Sequence, residues 1–473
     1  ELRETSAVDV GEALGWKAGL WRLRKGGIAN DIVLRGLQSR DLNVLIDGQR
    51  VYGACPNHMD PAAFHVDFAE VDRVEVGKGP FDVKNQGGLG GTVNVVTRKP
   101  EPGWHATPTL AAGSFGLVNP SLTAGRGGQR LSALAGYSER RGDPFEDGDG
   151  RRFTELANYR PENQGDRAFS IGTAWGRVLW APANGHQLDV AYTRQDSGAV
   201  LYPYLLMDAL WDDTDRLNLR YEATGLGERK ASVRAQGYLT QVDHWMTDER
   251  RTSSLAKPRA YSMGTRAETR TAGGKVEAVV GSLTFGAEGH ERYWDATNEM
   301  AGSAYAPQAM IPGVTVRTAG VFAEYVRVLG HGFALSAGGR LDQARSEADG
   351  ARANTALYEA YQGTSALEAD DTLPAAKARV AWHRGAWDLA FGVGHAARAP
   401  EATERYLALR RMGTDWVGNP GLDPSRNTAL DASATFTRGG FRLEAAVYRS
   451  RVADFITVYD QARRAAVPGV ANA

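Results

Sequence analysis

The chain has one cysteine, Cys55, in 473 residues, so no disulfide framework, Cys-rich zinc site or iron–sulfur cluster can be built within it. It has no apolar run near the ~20 residues that a membrane helix needs, and its opening, Glu1-Leu2-Arg3-Glu4, does not read as a signal peptide. It has no excess of either charge: 55 basic against 56 acidic residues leave a formal charge of −1. Without a cationic surface to release counterions, no nucleic-acid partner is expected. No Ser/His/Asp or Cys/His/Asn motif is recognisable, and no enzymatic activity is expected. A membrane β-barrel survives all of these absences, because its strands of about 10 residues alternate in polarity and give no hydropathy peak.

What the chain does have is alternation punctuated by glycine, of which there are 56. From about Trp104 onward, runs of about eight to twelve alternating residues are separated in turn by a Gly-rich turn and by a long polar segment. Leu188, Val190 and Tyr192 share one face and Gln187, Asp189 and Thr193 the other. From Lys230 to Gln241, Ala231, Val233, Ala235 and Leu239 lie opposite Ser232, Arg234, Gln236 and Thr240. Ala376, Ala378, Val380 and Trp382 alternate with Lys377, Arg379 and His383 before Gly385-Ala386 turns the chain into Trp387, Leu389, Phe391 and Val393. Short turns are expected at Gly127-Gly128, Asn184-Gly185, Gly273-Gly274, Gly281-Ser282, Gly385-Ala386 and Gly439-Gly440. Long segments are expected at Asp196–Asp215, Asp243–Arg259, Trp294–Thr315, Ser346–Asp371 and Ala397–Arg426. One rim of short turns and one of long loops is the layout of an outer-membrane barrel with its loops outside the cell. About 15 or 16 strands can be counted, and residues 465–473 read as a loop rather than a closing strand.

The first hundred residues differ. Asp31-Ile32-Val33-Leu34-Arg35-Gly36, Asn43-Val44-Leu45-Ile46-Asp47-Gly48, Val71 to Pro80 and Gly87 to Thr97 are short apolar strands between Gly and Asp turns, which implies a small α/β domain with its own core. In order and spacing, the stretches "LRG", "LIDG", "DRVEVGKGP" and "GGTVNVVT" resemble the plug of TonB-dependent outer-membrane receptors. That resemblance implies an N-terminal α/β plug, residues 1–102, inside an all-β transmembrane barrel of about 22 strands, of which residues 103–473 would be an incomplete part. It also implies location in the bacterial outer membrane, contact with its lipid, a monomeric state, and a TonB-type energy-coupling protein at the periplasmic face. No TonB-box-like segment precedes Glu1, so the chain reads as a partial receptor.

Cys55 stands in Gly53-Ala54-Cys55-Pro56-Asn57-His58-Met59, a few residues beyond the "LIDG" strand, in a plug loop that the family directs outward. Thiolate, thioether and imidazole favour copper, Cu(I) in particular, over hard cations. On the barrel side, the far end of the Lys230–Gln241 strand reads Asp243-His244-Trp245-Met246. If strand geometry persists there, His244 and Met246 face the same side. Cys-x-x-x-Met in the plug and His-x-Met in the barrel are similar to the copper receptors of the OprC and NosA type. The resemblance implies a metal site of Cys55, Met59, His244 and Met246, with copper, as Cu(I) or Cu(II), as the transported ligand. His58, adjacent to Met59, is a lesser candidate.

Of the seven methionines, Met207, Met246, Met300, Met310 and Met412 fall at or in external loops and Met59 in the plug, a distribution that suits a copper funnel; Met263 alone falls on a barrel strand. The alternative cargo is haem or a metal–siderophore chelate: His395 to Glu401 and Asn419 to Leu422 resemble stretches of haem receptors, and Tyr202-Pro203-Tyr204 or Tyr293-Trp294 would stack on an organic ligand. His65, His186 and His290 have no close partner in sequence and read as polar lumen or loop residues.

Overall fold

The computed structural model describes residues 5, 7–256, 262–301, 305–410 and 415–463. Residues 465–473, expected as a loop, and Met412 lie outside the described residues.

The N-terminal domain holds the short helix α1 (Val10–Leu14) and strands β1 (Leu20–Leu23), β2 (Asp31–Leu34), β3 (Leu37–Gln38), β4 (Leu42–Ile46), β5 (Gln49–Arg50), β6 (Val71–Lys78) and β7 (Gly91–Thr97). They form an antiparallel sheet β1-β2-β3 and a mixed sheet β5-β4-β7-β6 in which β4 and β7 run parallel. The turn from β4 to β5 takes positive φ at both Asp47 (52°) and Gly48 (76°), the backbone of a tight two-residue hairpin turn. Val10, Leu14, Leu34, Ile46, Val93 and Val95 meet in one buried core.

Fifteen strands then form a single antiparallel sheet. They are β8 (Gly103–Ala112), β9 (Val118–Gly127), β10 (Leu131–Gly142), β11 (Phe169–Ala183), β12 (His186–Val200), β13 (Asp208–Leu226), β14 (Ala231–Thr247), β15 (Met263–Val280), β16 (Leu283–Met300), β17 (Gln308–Gly330), β18 (Phe333–Glu347), β19 (Glu368–Arg384) and β20 (Trp387–Arg398), then, after the two-residue strands β21 (Ala408–Leu409) and β22 (Trp416–Val417), β23 (Ser425–Arg438) and β24 (Phe441–Ala453). The edge strands β8 and β24 do not pair with each other among the described residues.

Alternation sorts the two faces. Tyr192, Leu217, Leu219, Val321, Leu341 and Phe391 are exposed on the outer wall, where lipid replaces water. Arg177, Arg216, Glu288 and Arg340 are buried on the inner face, against the N-terminal domain, which occupies the lumen as a plug.

The sequence reading needs two corrections here. Gly273-Gly274 is not a turn but the middle of β15, paired with Tyr238 and Gly237 of β14. A Cβ on Gly273 would come within 2.4 Å of the Tyr238 ring, so glycine there accommodates an aromatic neighbour rather than a reversal. The long segments are also shorter than expected, because strands continue into them: β12 runs to Val200, β14 to Thr247 and β18 to Glu347. Their polar composition reflects the water-facing outer ends of strands rather than loops.

Candidate metal site

Residues 53–60 leave the plug and fold back on themselves. A Cβ on Gly53 would fall 2.1 Å from the Asp60 carbonyl oxygen, so only glycine allows the closure. The Asp60 carboxylate accepts from the backbone N–H of Ala54 (2.6 Å) and of Cys55 (3.1 Å). Burial raises the Asp60 carboxyl, but His244 and His65 and these two N–H bonds outweigh it and hold the group below the ordinary carboxylate value. Pro56 follows Cys55 in a turn closed by the His58 N–H to the Cys55 carbonyl at 2.9 Å, with His58 in the left-handed region at φ 52°. The turn sends Cys55 and Met59 into one buried cluster and throws His58 outward. His58 Nε2 lies 3.3 Å from Glu401 Oε2 and 3.1 Å from Arg40 Nη2, away from the sulfur atoms.

Barrel side chains hold the loop by its carbonyls. Trp294 Nε1–H donates to the Ala54 carbonyl (2.7 Å), Arg292 to that of Gly53 (3.2 Å) and Tyr202 O–H to that of Met59 (2.9 Å); from the plug itself, Lys25 reaches that of His58. Arg292 also pairs with Glu401 at 2.6 Å. Above the cluster, Arg251 donates to both oxygens of Asp208, at 2.8 and 2.6 Å, and to Tyr159 at 2.7 Å, joining three external loops in a roof.

Strand geometry persists to Thr247, so His244 and Met246 both face the lumen while Trp245 turns outward against Trp211. Cys55 Sγ is 3.8 Å from Met246 Sδ. Met59 belongs to the same apolar cluster, with Phe64 and Tyr202. His244 Nδ1 is 2.7 Å from Asp212 Oδ2, and Cys55 is close enough to interact electrostatically with the imidazole. Cys55, Met59 and His244 are each 1% exposed and Met246 2%, so two plug sulfurs, one barrel sulfur and one barrel imidazole are all buried where the plug loop meets the wall.

The remaining candidates scatter. Met207 packs against the Cys55 cluster. Met310 sits in a separate core with Trp294. Met246, Met300 and Met310 lie on strands rather than in loops, and Met263 opens β15 at the same rim, in register with Met300. His65 is buried, with Nδ1 2.8 Å from Thr214 Oγ1 and Nε2–H donating to the Asp60 carbonyl at 3.2 Å. His395 lies on the face of β20 opposite the lumen-facing Gly394 and is bonded to Thr428 at 2.8 Å. Sequence reasoning missed Asp60 and Asp212, and gave Tyr202 and Trp294 only as aromatics for stacking on an organic ligand. Asp60 directly follows the Cys-x-x-x-Met motif, and that adjacency was its one signal; Asp212 becomes a partner only through strand register.

A plugged sheet of amphipathic strands with a buried site between plug and wall defines a receptor of the outer membrane. The family model for the TonB-dependent receptor-like β-barrel matches residues 119–469 and that for the TonB-dependent receptor plug domain residues 1–92. The chain belongs to the TonB-dependent receptor family: it is a bacterial outer-membrane receptor that binds an external substrate and couples to TonB. No curated protein matches it. Among solved structures it is similar to the copper transporter OprC, with 23% identity and a TM-score of 0.81 over 95% of this chain and 71% of that one. The FrpB iron transporter from Neisseria meningitidis is similar at 14% identity and a TM-score of 0.67, again over 95% and 71%. The Serratia marcescens hemophore receptor HasR, in complex with its hemophore and heme, is similar at 18% identity and 0.68, over 95% and 71%.

Proposed function

We propose that this receptor binds copper between plug and barrel, through Cys55, Met59, His244 and Met246, and imports it into the periplasm. The observation that carries the reading is the approach of Cys55 Sγ to Met246 Sδ, 3.8 Å across the plug–barrel boundary, beside the buried imidazole of His244, which Cys55 also neighbours. Sulfur donors with one imidazole select a soft or borderline ion and disfavour hard cations. The resemblance in fold extends to a copper transporter, an iron transporter and a haem-binding receptor alike, so the donor set rather than the fold supports copper. For haem, His395 is the wrong partner, since it lies on the face of β20 opposite the lumen-facing Gly394.

The division of ligands suits transport. Two donors belong to the plug and two to the barrel, so a TonB-driven movement of the plug pulls the ligand set apart and weakens binding at the moment of release. Thiolate and thioether donors favour Cu(I), while the imidazole accommodates Cu(II) as well.

The test is metal content and metal-edge X-ray absorption of the purified protein after exposure to equimolar copper, zinc and iron, beside Cys55→Ala. About one copper per chain with sulfur ligation, lost in the variant, is the expected result. No bound metal, or copper retained by Cys55→Ala, would overturn the site.

A further inference from the structure

The register of β13 and β14 puts Asp212 directly opposite His244, and both side chains turn into the lumen, where each residue is 1% exposed. A carboxylate oxygen can only accept, so the 2.7 Å contact of Asp212 Oδ2 with Nδ1 requires the imidazole proton on Nδ1. In a neutral ring Nε2 is then a bare lone pair. That nitrogen is buried without a hydrogen-bond partner among the described residues. The neighbour of the ring on that side is Cys55.

We propose that Asp212 is the positioning residue of the site: it fixes the tautomer and ring orientation of His244 so that Nε2, and not Nδ1, faces the metal. The inference deepens the copper reading and rests on it for its purpose, but not for its geometry. Asp60, Asp212 and His244 do offer three donor atoms within 4.8 Å of one another, a spacing that would admit a hard cation. Both Asp60 oxygens accept the N–H groups of Ala54 and Cys55, and Asp212 Oδ2 accepts from His244, which is how carboxylates orient their neighbours; Asp212 Oδ1 is left free. Behind it, His65 Nδ1 lies 2.8 Å from Thr214 Oγ1 and 3.6 Å from the free Asp212 Oδ1. Carboxylates hydrogen-bonded to a ligating histidine in this way are typically worth about 10–100-fold in metal affinity.

The test begins with the metal-free protein, full chain, labelled with 15N in its histidines. The His244 resonance, identified by its loss in His244→Gln, should report a proton on Nδ1 and a bare Nε2. In Asp212→Leu it should revert to the Nε2–H form, and in Asp212→Asn, whose amide oxygen can still accept, it should keep the Nδ1–H form. A wild-type Nε2–H tautomer, or an unchanged tautomer in Asp212→Leu, overturns the proposal, and the wild-type spectrum decides even if the leucine variant fails to assemble. Copper titration follows: Asp212→Leu should lose about 10–100-fold in affinity while the X-ray absorption edge keeps its sulfur ligands. Unchanged affinity also overturns the proposal. Absence of copper from the wild type overturns the copper reading instead, and leaves the tautomer measurement to decide Asp212.

Discussion

The plug meets the barrel wall in two chemically different ways. Midway along the lumen the contacts are ion pairs that answer one another: Glu288 on β16 faces plug residue Arg50 at 3.2 Å and, across β17, Arg340 of β18 at 2.9 Å. Plug residue Asp67 faces Arg140 at 2.8 Å, and Glu70 faces Arg216 at 2.5 Å. Around Cys55 the contacts across the boundary are not ion pairs: a thiol lies against a thioether, beside a buried imidazole nitrogen. Charges that neutralise each other explain how a plug is seated and ask for no ligand. Donors gathered without an acceptor ask for one.

The largest expected effect tests the first half of that contrast. Glu288→Gln leaves two buried guanidiniums facing a neutral amide, and removing one partner of a buried pair costs about 3–5 kcal/mol. Denaturant unfolding of the detergent-solubilised protein should show that loss, while copper stoichiometry stays unchanged. If copper binding falls with stability, the two regions are one cooperative unit and the contrast breaks.

Glu401 lies between the two kinds of contact and makes the next prediction one of pH. Burial raises its carboxyl, but His58, Arg292 and Arg40 reverse this and hold it well below its usual 4.5. A carboxyl depressed in the folded state contributes stability that is full above its unfolded value and is lost as pH falls toward the folded one, at about 1.4 kcal/mol per unit of depression. The hydrogen-exchange protection of residues 53–60, taken relative to the intrinsic amide rate at each pH, should therefore be flat from neutrality down to about pH 5 and fall below about 4.5. In Glu401→Gln it should be lower throughout and lack that acid step. An acid step that survives in Glu401→Gln would assign the titration elsewhere.

Met246→Leu sharpens the second half. Leucine keeps the bulk and apolarity, so stability should change by less than about 1.5 kcal/mol. The lost thioether should weaken copper binding by about tenfold, or ~1.4 kcal/mol, in a competition titration. Equal affinity would make Met246 a packing residue and nothing more.

The sequence reading went furthest where the signal was local. Alternation and glycine turns gave the strand hairpins. Cys-x-x-x-Met and His-x-Met marked the side chains that the fold brings together, because a turn and a two-residue repeat are properties of neighbours. Gly273 misled because glycine beside a bulky cross-strand partner looks, in one dimension, the same as glycine in a turn. Asp212 was illegible for a related reason: 32 residues separate it from His244, and only the strand register makes them a pair. Trp294 was noticed as an aromatic for stacking, yet its polar edge is what reaches the loop, through a carbonyl that no sequence pattern identifies.

That edge gives the smallest effect. Trp294→Phe removes the N–H that the Ala54 carbonyl accepts at 2.7 Å but keeps an aromatic face for Arg292, which now lies 4.0 Å from the ring centroid. One neutral hydrogen bond is worth about 1 kcal/mol, so copper affinity should fall by less than in Met246→Leu, with faster amide exchange confined to residues 53–60. The loop would then act as a scaffold whose grip matters less than the atoms it presents. A loss exceeding that of Met246→Leu would reverse the order: anchorage would dominate donor chemistry, and the Cys55 region would differ from the ion-paired layer in the strength of its seat rather than in its need for a ligand.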